Sequence, residues 1–167
     1  MKTLYLVRHA KSSWKNPELS DIERPLSSRG KENAPKMGML LKKQGDIPEL
    51  IISSHAKRAF DTARKIAKEL DYPVRKIEKD ERLYLADKED FLEVLTEVKK
   101  SVDKVMLVSH NFGITLFANF ISESDIINIP TAGIARIDFE IKKWKEALNT
   151  KGKLVFFISP KKDTNGI

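Results

Sequence analysis

The sequence predicts an α/β fold in which helices cover both faces of a mostly parallel central sheet, a three-layer αβα arrangement. The main observation is that short apolar, β-branched runs alternate with longer segments of helical period as far as Ile121. A second observation is that each pair of runs is separated by enough chain for a helical crossover, which parallel neighbours require. The alternation therefore favours parallel strands over hairpins.

The individual elements follow from these periods. Four strands are predicted at Thr3–Val7, Leu50–Ser53, Val74–Ile77 and Val105–Ser109. Three amphipathic helices are predicted at Ser28–Gln44, Arg58–Leu70 and Glu89–Lys100, and a more buried helix is predicted at Phe112–Ile121. Beyond Pro130, two further strands are expected at Ile134–Ile141 and Lys153–Ser159, antiparallel to each other.

Length and composition limit the class of protein. A chain of 167 residues suits one domain, which we expect over residues 1–160, followed by a loose tail over residues 161–167. The absence of cysteine excludes disulfides, thiolate nucleophiles and cysteine-held metals. The first apolar run is too short for a signal peptide, and no apolar stretch reaches the length of a membrane span. We therefore expect a cytoplasmic protein that does not enter a membrane.

The charge balance favours acidic partners. Lys and Arg number 31 against 24 Asp and Glu, a net charge of +7. Phosphate esters, phosphoproteins and nucleic acids all fit such a field. The basic residues are nevertheless scattered in pairs such as Lys42–Lys43 and Lys142–Lys143, and aromatic residues amount to 8%. Nucleic acid is therefore not expected as a partner, and we expect a monomer.

Histidine and arginine follow three of the predicted strands. Arg8 and His9 follow the first strand, Arg58 follows the second, and His110 follows the fourth. Ligands of open α/β sheets bind outside the carboxyl ends of the strands. We therefore expect Arg8 and Arg58 to converge from adjacent strand ends, with both histidines beside them.

These residue types suit the transfer of a phosphoryl group. Its three oxygens share negative charge, which arginine binds through two parallel N–H groups. Nearby cations would keep His9 neutral, with a ring nitrogen free to attack. His110 would stand at the beginning of a helix, where backbone N–H groups favour an anion. The set predicts covalent transfer through His9 without a metal or a cofactor.

Four segments carry a resemblance to a known family. They are Leu4–Trp14, Asp21–Gly30, Ser53–Ala63 and Val108–Asn111. In this order they resemble the histidine phosphatase superfamily, also called phosphoglycerate mutase-like, and its short SixA-type branch. The resemblance runs from about residue 3 to residue 159. One departure is Ala10, where the family often has glycine, and we interpret it as a small change in the turn.

The resemblance implies a phosphoglycerate mutase-like fold and a phosphatase, that is, a phosphoric hydrolase. It also implies that His9 is a phosphohistidine nucleophile and that Arg8, Arg58 and His110 form the phosphate pocket. Arg24 is a further phosphate contact or, equally, a surface salt-bridge partner.

Three other residues have two interpretations each. Ser12 would contact substrate or form a turn, and Asn111 would contact substrate or cap a helix. Trp14 would pack on the domain edge or, less in keeping with the pattern, lie at the rim of the pocket.

The basicity of the leaving group distinguishes between the possible classes of substrate. Phosphomonoesterases and mutases of the superfamily use a carboxylate near the third strand, and the corresponding segment Asp80–Asp87 offers no clear match. An alkoxide is as basic as hydroxide, whose conjugate acid water has a pKa of about 15.7, and it needs a proton donor. Imidazole, with a pKa of about 6.5, needs one far less. Phosphohistidine on a protein is therefore the favoured substrate.

Two alternatives remain open. Glu81 or Asp87 would supply the acid in a small-molecule phosphomonoesterase, so a small phosphorylated substrate is the second reading. The third reading is a non-catalytic phosphoprotein-binding module, against which the intact nucleophile His9 argues.

Overall fold

The computed structural model describes residues 1–160, and the tail predicted over residues 161–167 lies outside them. Six strands form one sheet in the order β3-β2-β4-β1-β5-β6. They are β1 (Lys2–Arg8), β2 (Leu50–Ser53), β3 (Glu78–Lys79), β4 (Lys104–Ser109), β5 (Ile134–Phe139) and β6 (Lys153–Ile158). The first four are parallel to one another, whereas β5 is antiparallel to both β1 and β6. The predicted α/β fold is confirmed.

Four helices cover the sheet: α1 (Ser28–Gln44), α2 (Lys57–Glu69), α3 (Lys88–Thr96) and α4 (Gly113–Ser122). Helix α1 begins where the Ser27 hydroxyl accepts the N–H of Gly30, and it ends at Gly45, whose φ of 78° suits glycine. No helix within residues 1–160 is long and apolar enough to cross a bilayer.

The two layers of helices follow from the alternation of side chains along the strands. Leu4 and Leu6 of β1 belong to the apolar cluster that α3 and α4 cover. Tyr5 and Val7, on the opposite face, belong to the cluster that α1 and α2 cover. Each central strand therefore contributes to two cores, and all four of these side chains are fully buried.

The prediction for the third strand was wrong. Val74–Lys76 forms a single 3₁₀ turn after Pro73, and the pair Glu78–Lys79 is what joins β2. Val74 and Ile77 are three residues apart, so both pack against the core beneath α1 and α2 from one side of this turn. Their apolar character reflects that packing and not a strand.

The strand order corrects a second expectation. Strand β4 lies between β1 and β2, so Arg8 and Arg58 do not come from adjacent strands. His110, which directly follows β4, comes from the strand between them. The carboxyl ends of β1, β4 and β2 thus form one edge that carries both histidines.

Gly30 fixes the distance between α1 and the segment that follows His9. A Cβ atom at this position would lie 2.2 Å from the carbonyl oxygen of Lys11. We predict that Gly30→Ala forces the two segments apart and lowers the free energy of unfolding by about 1–3 kcal/mol. Chemical denaturation measures the change. Glu32→Ala, at an exposed position of the same helix, is the control and should stay within about 0.5 kcal/mol of wild type. Equal stability of the two variants would contradict the close contact.

Candidate active site

His9 is held at the carboxyl end of β1. Its backbone N–H donates to the carbonyl of Ser109 at 3.0 Å, which joins it to the end of β4. Nδ1 lies 2.7 Å from the carbonyl oxygen of Ala10. Because a carbonyl can only accept, Nδ1 carries the ring proton and donates it, and the neutral ring keeps its lone pair on Nε2.

The surroundings of His9 keep the ring neutral. Burial is the largest influence and lowers the pKa, since the side chain is 8% exposed. The hydrogen bond to Ala10 acts in the opposite direction, and the charges of Arg58, Arg8 and Arg24 lower the pKa further, to about 4. His9 is therefore unprotonated at neutral pH.

His110 faces His9 across the site. Their ring centroids are 5.1 Å apart. Nε2 of His110 is hydrogen-bonded to the hydroxyl of Ser54, at the end of β2, at 2.7 Å. Burial is the main influence that lowers the pKa of His110, to about 3, and its electrostatic interactions with His9 and Arg58 act in the same direction. Both histidines are thus neutral, which leaves the positive charge of the site to arginine.

Two buried arginines converge on one acidic residue. Arg58 donates from Nη2 to Oδ2 of Asp21 at 2.9 Å and from Nη1 to the backbone carbonyl of the same residue. Arg24 donates from Nη1 to Oδ1 of Asp21 at 2.9 Å. Its Nη2 donates to the hydroxyl of Ser12, so this serine supports Arg24. Arg24 and Arg58 are 7% and 4% exposed, which fixes the guanidinium groups in place.

Asp21 is the residue that sequence reasoning missed. Its carboxylate also accepts the hydroxyl of Tyr84. Burial acts to raise its pKa, but the hydrogen bonds from Tyr84 and Arg58 outweigh burial and hold the pKa at about 2. The signal was its position three residues before Arg24, in a segment that was already part of the family resemblance.

Tyr84 was missed as well. Its ring meets the ring of His110 edge-on, with centroids 5.3 Å apart, and it meets His55 in the same way at 5.6 Å. The hydrogen bond to Asp21 raises the pKa of Tyr84, so the phenol is protonated at neutral pH. Tyr84 therefore contacts two histidine rings with its own ring and Asp21 with its hydroxyl.

Two other predicted site residues, Arg8 and Asn111, form hydrogen bonds with neighbouring segments of the chain. Arg8 donates from Nη1 to the carbonyl of Ile129 at 3.0 Å, and burial lowers its pKa. Asn111 is hydrogen-bonded to the side chains of Thr115 and Asn128, and α4 begins two residues later without a side-chain cap. Its part in substrate binding stays a prediction.

The prediction that Trp14 packs on the domain edge was wrong. The side chain is 73% exposed, and its ring lies over the guanidinium of Arg24, 3.4 Å from ring centroid to Cζ. A cation held this close to an aromatic face is attracted by the ring quadrupole. Trp14 therefore stands at the rim of the site.

Neither of the two carboxylates considered as a general acid is held in the site. Asp87 caps α3 by accepting the N–H of Asp90 at 2.9 Å, and this bond holds its pKa below the usual range. Glu81 is exposed in the 3₁₀ turn Glu81–Leu83, and within residues 1–160 its side chain makes no hydrogen bond. The described residues also contain no group of three His, Asp or Glu side chains arranged to hold a metal ion.

The first half of the chain matches one protein family. Residues 4–84 match the family model of the histidine phosphatase superfamily (branch 1). An uncharacterised chloroplastic protein of Arabidopsis thaliana is 28% identical over 159 residues, which cover 90% of this chain and 72% of that protein. The 2,3-bisphosphoglycerate-dependent phosphoglycerate mutase of Borreliella afzelii is 37% identical over 87 residues, which cover 50% of this chain and only 34% of the mutase.

A solved structure extends the match to the whole fold. It is a SixA protein of Agrobacterium tumefaciens, described as a candidate phosphohistidine phosphatase, with a TM-score of 0.77 and 26% identity. The match covers 95% of this chain and 98% of that one. The chain belongs to the histidine phosphatase superfamily. Within it, the chain is of the short SixA type.

The neutrality of His9 makes a prediction for stability. Its pKa is about 4 in the folded protein and about 6.5 in an unfolded chain. As pH falls through 6.5, the unfolded chain binds the proton first, so the folded protein loses stability between pH 6.5 and 4 and is unaffected above that range. The full loss attributable to His9 is on the order of 3 kcal/mol.

His9→Gln removes the titrating group and is the matched variant. Urea denaturation at pH 7.5, 6 and 5 should show wild type losing more stability than the variant as pH falls. Parallel pH profiles for the two proteins would show that His9 is not held neutral.

Proposed function

We propose that the protein is a phosphatase that removes the phosphoryl group from phosphohistidine on another protein, through a covalent intermediate on His9. The observation that carries the proposal is the state of the His9 ring. Nδ1 is tied to Ala10, the ring is neutral, and Nε2 is the unprotonated nitrogen beside three arginines. This is the arrangement that an attacking imidazole requires.

The reaction has two steps. In the first, Nε2 of His9 forms a bond to phosphorus while the bond from phosphorus to the substrate imidazole breaks. The electron pair of that bond returns to the substrate ring, which leaves as neutral imidazole when its other nitrogen carries a proton. In the second step, water attacks phosphorus, the bond to His9 breaks, and phosphate leaves with His9 restored to its neutral form.

Arginine supplies the charge stabilisation. Arg58 and Arg24 are held by Asp21 before substrate arrives, so they need little reorganisation at the moment of transfer. Nε of Arg8 and Nδ1 of His110 are buried and make no hydrogen bond within residues 1–160, and Nδ1 carries the ring proton when the hydroxyl of Ser54 donates to Nε2. A buried donor without an acceptor is unfavourable by about 1–3 kcal/mol. Phosphoryl oxygens would supply those acceptors, and no metal ion is required.

The chemistry of the leaving group supports a P–N bond as the target. Asp21 is ionised at neutral pH because its pKa is about 2, and Asp87 is engaged in capping α3. Neither carboxylate is thus placed to protonate an alkoxide, whereas imidazole needs little help to leave. The SixA protein described as a candidate phosphohistidine phosphatase is in keeping with this substrate.

Phosphomonoester hydrolysis is the second candidate, and the match to a phosphoglycerate mutase favours it. That match spans half of this chain and about a third of the mutase. A mutase-like reaction on a P–O bond would require a proton donor from this chain. Asp80 is paired with Arg82 and Asp87 caps α3, which leaves Glu81 as the remaining carboxylate in the segment where the superfamily places its acid.

We predict that wild type hydrolyses a phosphohistidine peptide at least 100-fold faster, by kcat/KM, than a serine-phosphorylated peptide, because imidazole leaves without an acid and a serine alkoxide does not. His9→Ala should lower the rate on every substrate by at least about 10³-fold. EDTA should have no effect, and vanadate should inhibit.

Glu81→Gln and Asp87→Asn are the matched variants for the acid. Both should leave the rate on the phosphohistidine peptide unchanged. Faster hydrolysis of the serine ester than of phosphohistidine, together with a loss confined to the ester in Glu81→Gln, would instead establish a phosphomonoesterase. Undiminished turnover by His9→Ala, or loss of turnover in EDTA, would contradict the mechanism.

A further inference from the structure

Large apolar side chains are exposed around the mouth of the site. Trp14 lies on Arg24, Ile22 follows Asp21, Leu85 follows Tyr84, and Phe112 comes two residues after His110. Two further exposed side chains continue this set. Leu116 lies one helical turn beyond Phe112, and Ile127, which is 90% exposed, precedes Asn128, the partner of Asn111. We call these six residues the apolar rim.

Leu85 belongs to the rim although its backbone conformation is unfavourable for leucine. Its φ is +51°, a left-handed conformation that a leucine side chain rarely adopts, and the side chain is nevertheless 63% exposed. Burial of the leucine therefore does not compensate for this strain. Strain of this kind is concentrated at functional sites, and here it turns an apolar side chain outward beside Tyr84.

A basic surface adjoins the rim on the α1–α2 side. Two neighbouring grooves of about 280 Å³ each share the residues Pro25, Leu26 and Lys31. Six cationic side chains line them: Lys15, Lys31, Lys57, Arg64, Lys65 and Lys68. Among the lining residues, Asp61 is the single carboxylate, and it is paired with Lys57 and Arg64. We call this surface the basic groove.

The basic groove is continuous with the site. Pro25 directly follows Arg24, Lys57 directly precedes Arg58, and the carbonyl of Ser13 accepts Nε of Arg24. A ligand whose phosphoryl group reaches His9 can therefore extend across the rim on one side and along the groove on the other. A small phosphorylated metabolite is too polar to gain from the rim and too short to use both.

We propose that the apolar rim and the basic groove together form a docking surface for the protein that carries the phosphohistidine. The occupant is a segment with apolar side chains next to the phosphorylated ring and acidic side chains on the flank that meets α1 and α2. Apolar contacts at the rim select a protein over a metabolite, and opposite charge along the groove raises the rate of encounter and fixes orientation. This inference rests on the proposed function and adds the chemistry of the partner.

Three substrates test it. They are free phosphohistidine, a 15-residue peptide with Leu beside the phosphohistidine and Glu on both flanks, and a matched peptide with Ser and Lys in those places. Wild type should prefer the Leu/Glu peptide over the Ser/Lys peptide by at least 10-fold in kcat/KM. Raising the salt concentration to 0.5 M should remove most of that preference, because the groove acts through solvent-exposed charges. This comparison requires no variant.

Substitutions then locate the preference. The groove variant Lys31→Glu/Lys65→Glu/Lys68→Glu should lower kcat/KM for the Leu/Glu peptide at least 10-fold and leave free phosphohistidine within twofold. The rim variant Leu116→Ser/Ile127→Ser should lower it at least threefold in the same selective way.

The control variant, Lys99→Glu/Lys100→Glu/Lys153→Glu, carries the same change of charge at the amino end of β1, opposite the site. Two contacts establish this placement. Lys2 of β1 donates to the carbonyl of Lys100. Lys153 pairs with Asp138, and Asp138 pairs with Thr3 of β1. The control variant should change none of the three rates.

The outcomes are distinct. Inactivity of wild type on all three substrates would overturn the proposed function, and docking with it. Equal rates on both peptides, or an equal effect of the groove and control variants, would overturn the docking surface alone. Binding of a 20-base-pair RNA duplex that the groove variant loses, with no change in peptide preference, would assign the groove to nucleic acid and overturn it as well.

Discussion

A hydrogen bond from Nδ1 of His9 to the carbonyl of Ala10 keeps the ring proton on Nδ1 and leaves Nε2 unprotonated. Burial and three neighbouring guanidinium groups then keep the ring neutral. Without a nearby carboxylate, the positive charges of these arginines would repel one another in the pocket. Asp21 balances this charge by binding Arg58 and Arg24 through separate carboxylate oxygens. The neutral state of His9 and the positions of the arginines are therefore linked, as the proposed mechanism requires.

The strand order explains how residues distant in sequence meet at this point. Strand β4 lies between β1 and β2, so His110 and Ser54 approach His9 from two successive strand ends. Asp21 and Arg24 come instead from the segment between β1 and α1, which folds back on itself through the pairing of Ser12 with Leu26. The parallel strands fix the histidines, and this returning segment supplies the charge balance and the rim residue Trp14.

Much of the fold and the core of the site could be predicted from the sequence because they rest on local patterns. Alternation in β1 and the helical period of α1 are visible in the residues, and so are Arg8 and His9 at a strand end. The partners of Asp21 could not be predicted in this way, because they are brought together only by tertiary packing. Val74 and Ile77 misled the prediction of a strand because two apolar residues three apart suit a 3₁₀ turn as well. The position of Trp14 was predicted wrongly because an aromatic ring is usually packed against the domain, whereas here its face covers a guanidinium.

The proposed mechanism requires that His9 become phosphorylated during turnover. Rapid mixing with a ³²P-labelled phosphohistidine peptide, an alkaline quench and peptide mass spectrometry would locate the label. We expect one acid-labile, base-stable phosphoryl group on His9, present in a His55→Asn control and absent from His9→Ala. Turnover without a phosphoenzyme, or a label on any other residue, would contradict the account.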